Sequence, residues 1–308
     1  ESADVRELAA SNANLSPDVI AALRTSSDPP LLRGLASNAS LDEGQLKALF
    51  DAAQNDKEQR DFTVKGFTSL FEWPTLAILG VHPKLGEELV QELSAHEGDN
   101  VRRSVASRKE LALEITETLA VDASQFVRCQ IAKRPDIPAA LVLSLASDAD
   151  ESTRAAIAAN RQTPAEVLRA LSEDERVAIR QAVASSLSVS ESTLEKLLAN
   201  KNRKVKESAL ANRMLPLDRV MRELESTKYS KSVQMKALLN AGAPCGTIEK
   251  ALVGVNVDAR CVVAAHEKTD PVLLARLTED ANLEVAVLAA MNLAGSADVG
   301  RGCPSAST

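Results

Sequence analysis

The sequence predicts an all-α solenoid of about eleven 26-residue repeats, each built from two short helices. A basic residue recurs every 26 positions, at Arg102, Arg128, Arg154, Arg180 and Lys206. An apolar residue follows three positions later each time, at Val105, Ile131, Ile157, Val183 and Ala209. Only 2% of the 308 residues are aromatic, so small aliphatic side chains must form the core. Periods of this length are typical of solenoids, in which each repeat buries its apolar face on its neighbours.

A third periodic column gives the number of repeats. It runs through Asn12, Asn38, His82, Arg108, Arg134, Asn160, Ser186, Asn212, Asn240, His266 and Asn292. Successive members are 26 residues apart, except for a step of 44 after Asn38 and a step of 28 after Asn212. These eleven positions predict eleven repeats, of which the last is cut short.

Each repeat contains a corner between its two helices. In the repeat that we use as an example, the first helix is predicted over 152–159. We expect Asn160 to end it, because asparagine tolerates the left-handed conformation at a helix C-terminus. Thr163 is expected to cap the second helix, with Pro164 at its first position and Glu166 completing a capping box. The corner is thus predicted to consist of residues that end the first helix, followed by residues that begin the second.

The repeats resemble a known family. The pattern Val-Arg-x-x-Val-Ala-x-Asn-x-x-Thr-Pro-x-x-x-Leu-x-x-Leu occurs with variations in TRAAIAANRQTPAEVLRAL, VRELAASNANLSPDVIAAL and LRGLASNASLDEGQLKAL. It resembles the 26-residue leucine-rich repeat variant over about residues 3–295. The resemblance implies alternating α- and 3₁₀-helices in a right-handed superhelix. One protein type with these repeats carries an iron–sulfur cluster, but the four cysteines here are scattered, so no cofactor and no metal is expected.

The period divides the chain into four segments. We predict N-terminal repeats over 1–49, an aromatic-rich junction or decayed repeat over 50–74, a regular stack over 75–295, and a flexible tail over 296–308. The truncated last repeat is expected to leave an apolar edge at Val285, Leu288 and Ala289.

The basic column has acidic neighbours. An aspartate stands six residues before three of its members, at Asp122, Asp148 and Asp174. This spacing resembles the Asp and Arg ladder of HEAT repeats, and we expect each arginine to pair with the aspartate six residues earlier. We expect breaks at His96, before Arg102, and at Asn200, before Lys206. An anion-binding groove is the alternative, although one cation per repeat, about 8 to 10 Å apart, matches a polyanion sparsely. The column could also have no shared role.

Two clusters are candidate binding surfaces. The first, in the junction, contains the aromatic residues Phe62, Phe67, Phe71 and Trp73. They either fill a gap between two stacks, form a patch that binds a partner, or line a cofactor pocket. The second lies in the stretch 196–236, which has eleven basic and four acidic residues, and contains Lys201, Arg203, Lys204 and Lys206. It is either a solvated face or a site for an acidic protein or RNA.

Several classes of function are disfavoured. The net charge of −7 and the pI near 5.3 argue against a general binder of nucleic acids or anionic membranes. No run of about 18 apolar residues predicts a membrane span. Scattered cysteines favour reduced thiols in the cytoplasm. The first residue is Glu1 rather than Met, which we interpret as a processed start. GxSxG, P-loop, GxGxxG and HExxH motifs are absent from the sequence, so we expect no catalytic residues and no enzyme activity.

The leading hypothesis is a non-enzymatic scaffold that binds a protein or peptide on an extended solenoid surface. The alternative is a nucleic-acid-binding protein that resembles the HEAT-like alkylpurine DNA glycosylases, although one tryptophan and an acidic pI argue against it. The sequence leaves the partner's identity and the oligomeric state open.

Overall fold

The computed structural model describes residues 2–26, 28–54, 75–226 and 228–299. Over this part of the chain every regular element is an α-helix. The contacts divide the chain into two compact units, Glu1–Asn160 and Arg161–Thr308, which we describe separately. None of the described helices is both long and apolar enough to cross a membrane. The predicted aromatic cluster of Phe62, Phe67, Phe71 and Trp73 lies outside the described residues.

The first unit contains the following helices: α1 (Ala3–Ala10), α2 (Pro17–Arg24), α3 (Pro29–Ala36), α4 (Glu43–Gln54), α5 (Thr75–Val81), α6 (Glu87–Ser94), α7 (Asp99–Ala106), α8 (Leu113–Ala120), α9 (Gln125–Ala132), α10 (Ala139–Leu145) and α11 (Glu151–Ala159). The second unit contains the following helices: α12 (Ala165–Leu171), α13 (Val177–Ser185), α14 (Glu191–Leu198), α15 (Arg203–Leu210), α16 (Leu217–Ser226), α17 (Lys231–Asn240), α18 (Cys245–Ala251), α19 (Val257–Ala265), α20 (Pro271–Leu277) and α21 (Leu283–Val299).

Odd-numbered helices are the first helices of the repeats, and even-numbered helices are the second ones. Within the first unit, α5, α7, α9 and α11 pack in succession; in the second unit, α13 packs on α15 and α17 on α19. The described residues hold eleven first helices and ten second helices, which confirms the predicted eleven repeats with a truncated last one. Most of these helices span only two turns, so they depend on packing against neighbours for stability.

Aliphatic side chains form the core, as their periodicity predicts. Ile131, Ile157 and Val183 of the first helices are fully buried, and so is Leu119 of α8. Burying one such side chain stabilises the fold by about 1.5 to 3 kcal/mol. Since each repeat contributes the same few positions, the core is a continuous row of small apolar layers within each unit.

The corners fold differently from the prediction. Asn160 has φ −74° and ψ 130°, so it is extended rather than left-handed. Pro164 is the N-cap of α12 instead of its first residue and makes no side-chain cap bond, so the predicted capping box with Thr163 as the N-cap is wrong. The Nδ2 of Asn160 instead donates to the carbonyl oxygens of Ala132 at 2.8 Å and Arg134 at 2.7 Å. The asparagine therefore joins its corner to the preceding one.

The same contact recurs in both units, and we call the series the corner ladder. Four asparagine side chains each donate to two carbonyl oxygens, 28 and 26 residues earlier: Asn38, Asn160, Asn212 and Asn292. Arg108 and Arg134 make the equivalent contacts through their guanidinium groups. The ladder satisfies backbone oxygens at corners that are largely buried, which would otherwise lack donors.

The C-terminal repeat also differs from the prediction. Helix α21 continues to Val299, past the expected start of the tail. Val285 and Ala289 are fully buried and Leu288 is half-buried, so the exposed apolar edge expected at these three residues is wrong. Large apolar side chains are instead exposed at Leu283, Val287 and Met291, which are four residues apart and share another face of α21.

Candidate functional site

The predicted charge ladder exists with a different pairing. Arg128 donates two hydrogen bonds to the Asp148 carboxylate, from Nε at 2.6 Å and from Nη2 at 2.9 Å. Its Nη1 donates to the backbone oxygen of Asp122 at 2.7 Å. The predicted pairing with the aspartate six residues earlier is therefore wrong, because the carboxylate partner belongs to the next repeat. We call each such ion pair a rung.

Arg102 and Asp122 form a second rung in the first unit, at 2.6 and 2.9 Å. The break expected at His96 is absent, because Arg102 needs only the backbone oxygen of that residue, to which it donates at 2.7 Å. In the second unit Arg260 and Asp280 form a rung at 2.7 and 3.2 Å.

The rungs are partly buried and electrostatically strong. Only 18% of the Arg128 side chain and 8% of the Asp148 side chain are exposed. The hydrogen bond from Arg128 holds the pKa of the Asp148 carboxyl below its usual range, and the hydrogen bond from Arg260 does the same for the pKa of Asp280. Charge-assisted bidentate pairs of this kind are among the stronger hydrogen bonds in proteins.

The remaining predicted members of the ladder are Arg154, Asp174 and Arg180. Arg154 lies in the first unit and donates to the backbone oxygens of Asp148 and Ala149 at 2.8 and 3.2 Å. Asp174 lies in the second unit, where its Oδ1 accepts the Arg176 N–H at 2.8 Å.

The ladder is interrupted at Arg180. Its Nη1 donates to the backbone oxygens of Asp174 and Glu175. Its Nε is the one buried side-chain nitrogen or oxygen in the described part of the chain that lacks a hydrogen-bond partner. The reason is Asn200, which occupies the position in the next repeat where an aspartate would complete the rung. Asn200 therefore breaks the ladder as expected, but it affects Arg180 rather than Lys206.

The next two rungs are missing as well. For Lys206, the position of the acid in the next repeat is held by Ser226, and the lysine forms no ion pair within the described residues. In the following repeat Gln234 and Gly254 stand in the places of the arginine and the aspartate. The ladder is thus interrupted at Arg180, Lys206 and Gln234, and it resumes at Arg260.

A different polar network occupies the interrupted stretch. The Tyr229 side chain is buried, and its hydroxyl donates to Glu223 Oε1 at 2.9 Å. Arg219 donates to Glu223 at 3.2 Å and to Glu195 at 2.7 Å. Gln234 donates to the Tyr229 backbone oxygen at 2.9 Å. Sequence reasoning missed this network; its signals were the irregular step in the period and the chain's single tyrosine.

The candidate site is a groove of about 390 Å³ in the second unit, lined by residues of α13, α15 and α17 and of the corners after α13 and α15. We call it the cationic groove. Its charged lining residues are Lys204, Glu207, Arg213 and Lys236. It lies in the three repeats in which the charge ladder is interrupted.

The charged groups of the cationic groove are not equally available. Arg203 Nε donates to Glu207 Oε1 at 2.8 Å, and Arg213 Nη2 donates to Glu267 Oε1 at 2.8 Å. Lys204 and Lys236 are exposed. Neither lysine forms an ion pair with any residue that the structure describes. The groove therefore presents two uncompensated ammonium groups, one from α15 and one from α17.

Uncharged side chains complete the lining. Gln181, Ser185 and Ser208 bring polar groups for which the described residues supply no hydrogen-bond partner. Leu187 and Val233 add apolar surface. A ligand could therefore combine ionic, hydrogen-bonding and apolar contacts here.

Of the four basic residues predicted from the sequence, only Lys204 lines the groove. Arg203 acts indirectly by holding Glu207. Lys201 and Lys206 lie outside the lining. Arg213 and Lys236, which do line it, belong to the same basic stretch but were not singled out. Within the described residues no group of three His, Cys, Asp or Glu side chains could hold a metal ion.

No protein-family profile and no curated protein matches this sequence. Among solved structures, the chain is similar to a leucine-rich repeat variant with a novel repetitive structural motif, at 20% identity, covering 83% of this chain and 88% of that one, with a TM-score of 0.40. It is also similar to an engineered protein (16% identity, 96% and 95% coverage, TM-score 0.31) and to a designed armadillo repeat protein (19%, 91% and 99%, 0.16). The first carries the name of the repeat family that the sequence resembles, and these similarities concern the fold alone.

Proposed function

We propose that the protein is a non-enzymatic scaffold that binds a protein or peptide segment in the cationic groove. The observation that supports this most directly is the pair of uncompensated lysines, Lys204 and Lys236, beside polar side chains without partners. Neighbouring repeats of solenoids typically present such side chains side by side to a partner.

Two asparagines that line the groove are hydrogen-bonded to the backbone of neighbouring repeats. Asn212, which is buried, donates to the carbonyl oxygens of Ala184 and Ser186 at 2.7 and 2.8 Å. The Asn240 side chain donates to the Ala211 carbonyl. These bonds connect the two corners of the lining to each other and to the end of α17, so a ligand would meet a preformed surface, and less ordering entropy would be lost on binding.

The lining residues fit binding better than catalysis. Glu207 is the one carboxylate that lines the groove, and Arg203 already holds it. A general acid and base need two titratable groups placed around one reacting bond. A base-reading enzyme such as a glycosylase would also need side chains that stack on the flipped base, and the lining contains no aromatic residue. The aromatic cluster over 62–73 stays a separate prediction.

The proposal can be tested by blocking the groove. We would select partners from a random peptide library on the wild-type protein and then measure their binding to Ala211→Trp, which places an indole in the groove. The matched control is Ala159→Trp, at the same repeat position in the first unit. Circular dichroism would verify that both variants fold.

We expect the selected peptides to bind the wild type and Ala159→Trp equally and to lose most of their affinity for Ala211→Trp. Equal binding to all three proteins would contradict the groove as the binding site.

A further inference from the structure

The acids of the interrupted stretch are largely engaged within the protein. The stretch 196–236 contains eleven basic and four acidic residues, whereas the whole chain has a net charge of −7. Three of those acids are held by arginines of the same stretch: Glu207 by Arg203, Asp218 by Arg222, and Glu223 by Arg219. Few internal carboxylates are thus left to neutralise the lysines.

The charge ladder points to the same conclusion independently. Each complete rung supplies a carboxylate to a cation of the preceding repeat. At 200 and 226, in the repeats that contribute to the cationic groove, asparagine and serine stand in place of the acid. Arg180 and Lys206 therefore lack the carboxylate that the next repeat supplies to Arg102 and Arg128, and their positive charges add to the potential of this part of the second unit.

We propose that the ligand of the cationic groove is an extended acidic peptide segment of a protein partner, an inference that rests on the proposed function. Two of its carboxylates would contact Lys204 and Lys236, which lie on different helices. Gln181 and Ser208 would bind its backbone, and Val233 would contact an apolar side chain between the acids.

Nucleic acid fits the same surface less well. Proteins that bind single strands combine cations with aromatic side chains on which bases stack, and the groove lining has no aromatic residue. Duplex binding needs a longer row of cations, because phosphates follow one another every few ångströms. Carboxylates spaced along a peptide match two separate ammonium groups without either requirement.

The test measures the affinity of defined probes by fluorescence anisotropy. The probes are a labelled peptide of about 12 residues that alternates glutamate and serine, the same peptide with glutamine in place of glutamate, and an oligothymidylate of equal length. The variant is the double charge reversal Lys204→Glu with Lys236→Glu. The control is Lys196→Glu with Lys228→Glu, which changes the net charge equally at exposed lysines outside the groove.

We expect the wild type and the control to bind the glutamate peptide about tenfold more tightly than the glutamine peptide. The groove variant should lose about tenfold in affinity for the glutamate peptide while remaining folded. Raising the salt from about 50 mM to about 300 mM should weaken the wild-type complex several-fold.

Three results would overturn the inference: no preference for glutamate over glutamine, equal losses in the groove variant and the control, or tighter binding of the oligothymidylate than of the glutamate peptide. Failure of the proposed function is distinguishable. If library peptides without acidic residues bind and Ala211→Trp abolishes their binding, the scaffold proposal stands and only the acidic ligand is wrong. If Ala211→Trp changes no binding, both are wrong.

Discussion

The stretch 99–159 of the first unit and the stretch 177–254 of the second are built from the same helix pair. In the first stretch, Arg102 and Arg128 each form an ion pair with an aspartate of the next repeat. In the second stretch, the aspartates are missing and Arg180 Nε is buried without a partner. The comparison shows that residues of one basic column can join neighbouring repeats through ion pairs in one region and leave their positive charge without a carboxylate partner from the next repeat in another.

One corner of the second stretch matches its equivalent in the first. Asn160 in the first stretch and Asn212 in the second make the same two bonds to carbonyl oxygens of the preceding corner. The repeats therefore stay joined in both stretches. The corner at Asn212 thus keeps the bonds seen at Asn160 although the charge ladder is interrupted, whereas Asn240, after the irregular step, donates to the Ala211 carbonyl.

Removing a rung residue should have the largest effect. Arg128→Ala leaves the Asp148 carboxylate, which is 8% exposed, without its cation. We expect the free energy of unfolding to fall by about 3 kcal/mol, because an unpaired buried charge is costly. Lys206→Ala, at the same repeat position in the second stretch, should change it by less than about 0.5 kcal/mol. Urea denaturation would measure both, and equal losses would contradict the comparison.

Removing a corner asparagine should have a smaller effect that is the same in both stretches. Asn160→Ala and Asn212→Ala each leave two carbonyl oxygens without the donor that they have in the structure. We expect each to lower the free energy of unfolding by about 2 kcal/mol. Denaturation curves for the two variants should nearly coincide, and a large difference between them would show that the corners are not equivalent.

Restoring the missing acid should stabilise the second stretch. In Asn200→Asp, a carboxylate would stand where Arg180 Nε now lacks a partner. We expect a gain of about 1 kcal/mol in the free energy of unfolding. The mirror change, Asp148→Asn, should destabilise the first stretch. If Asn200→Asp destabilised the protein, Arg180 would not be an incomplete rung.

The smallest expected effect is a difference in acid sensitivity. The folded-state pKa of Asp148 is lowered by the hydrogen bond from Arg128. Its stabilisation is therefore fully present above the unfolded pKa of about 3.9 and is lost as the pH falls through the lower folded value. Thermal unfolding at about pH 5 and about pH 3 should show a smaller drop for Asp148→Asn than for wild type, and a larger drop for Asn200→Asp. Identical drops in all three proteins would contradict this assignment.

The fold could be predicted because each repeat packs on its neighbours through the same few positions. The residues at these positions therefore recur in the sequence with a constant period. Which arginine pairs with which aspartate in the charge ladder could not be predicted. Because the repeats are periodic, an aspartate that precedes one arginine also follows the arginine of the preceding repeat, so the sequence contains both pairings. Only the structure shows that Arg128 donates to the Asp148 carboxylate through Nε and Nη2, and to the Asp122 backbone oxygen through Nη1.

The candidate site was predictable only as a basic stretch. Consecutive residues on a helix point in directions about 100° apart, so Lys204 lines the groove while Arg203 and Lys206 do not. The role of the asparagine column was also hidden, because its partners lie about one repeat earlier in the chain and no local rule predicts such a contact.

The most direct test of the difference between the two stretches is amide hydrogen exchange with and without the glutamate peptide at saturation. We expect the peptide to slow exchange in segments that cover 203–213 and 231–240, and to leave 99–159 unchanged. Slower exchange in 99–159, or no change in either stretch, would contradict the claim that the interrupted charge ladder marks the binding site.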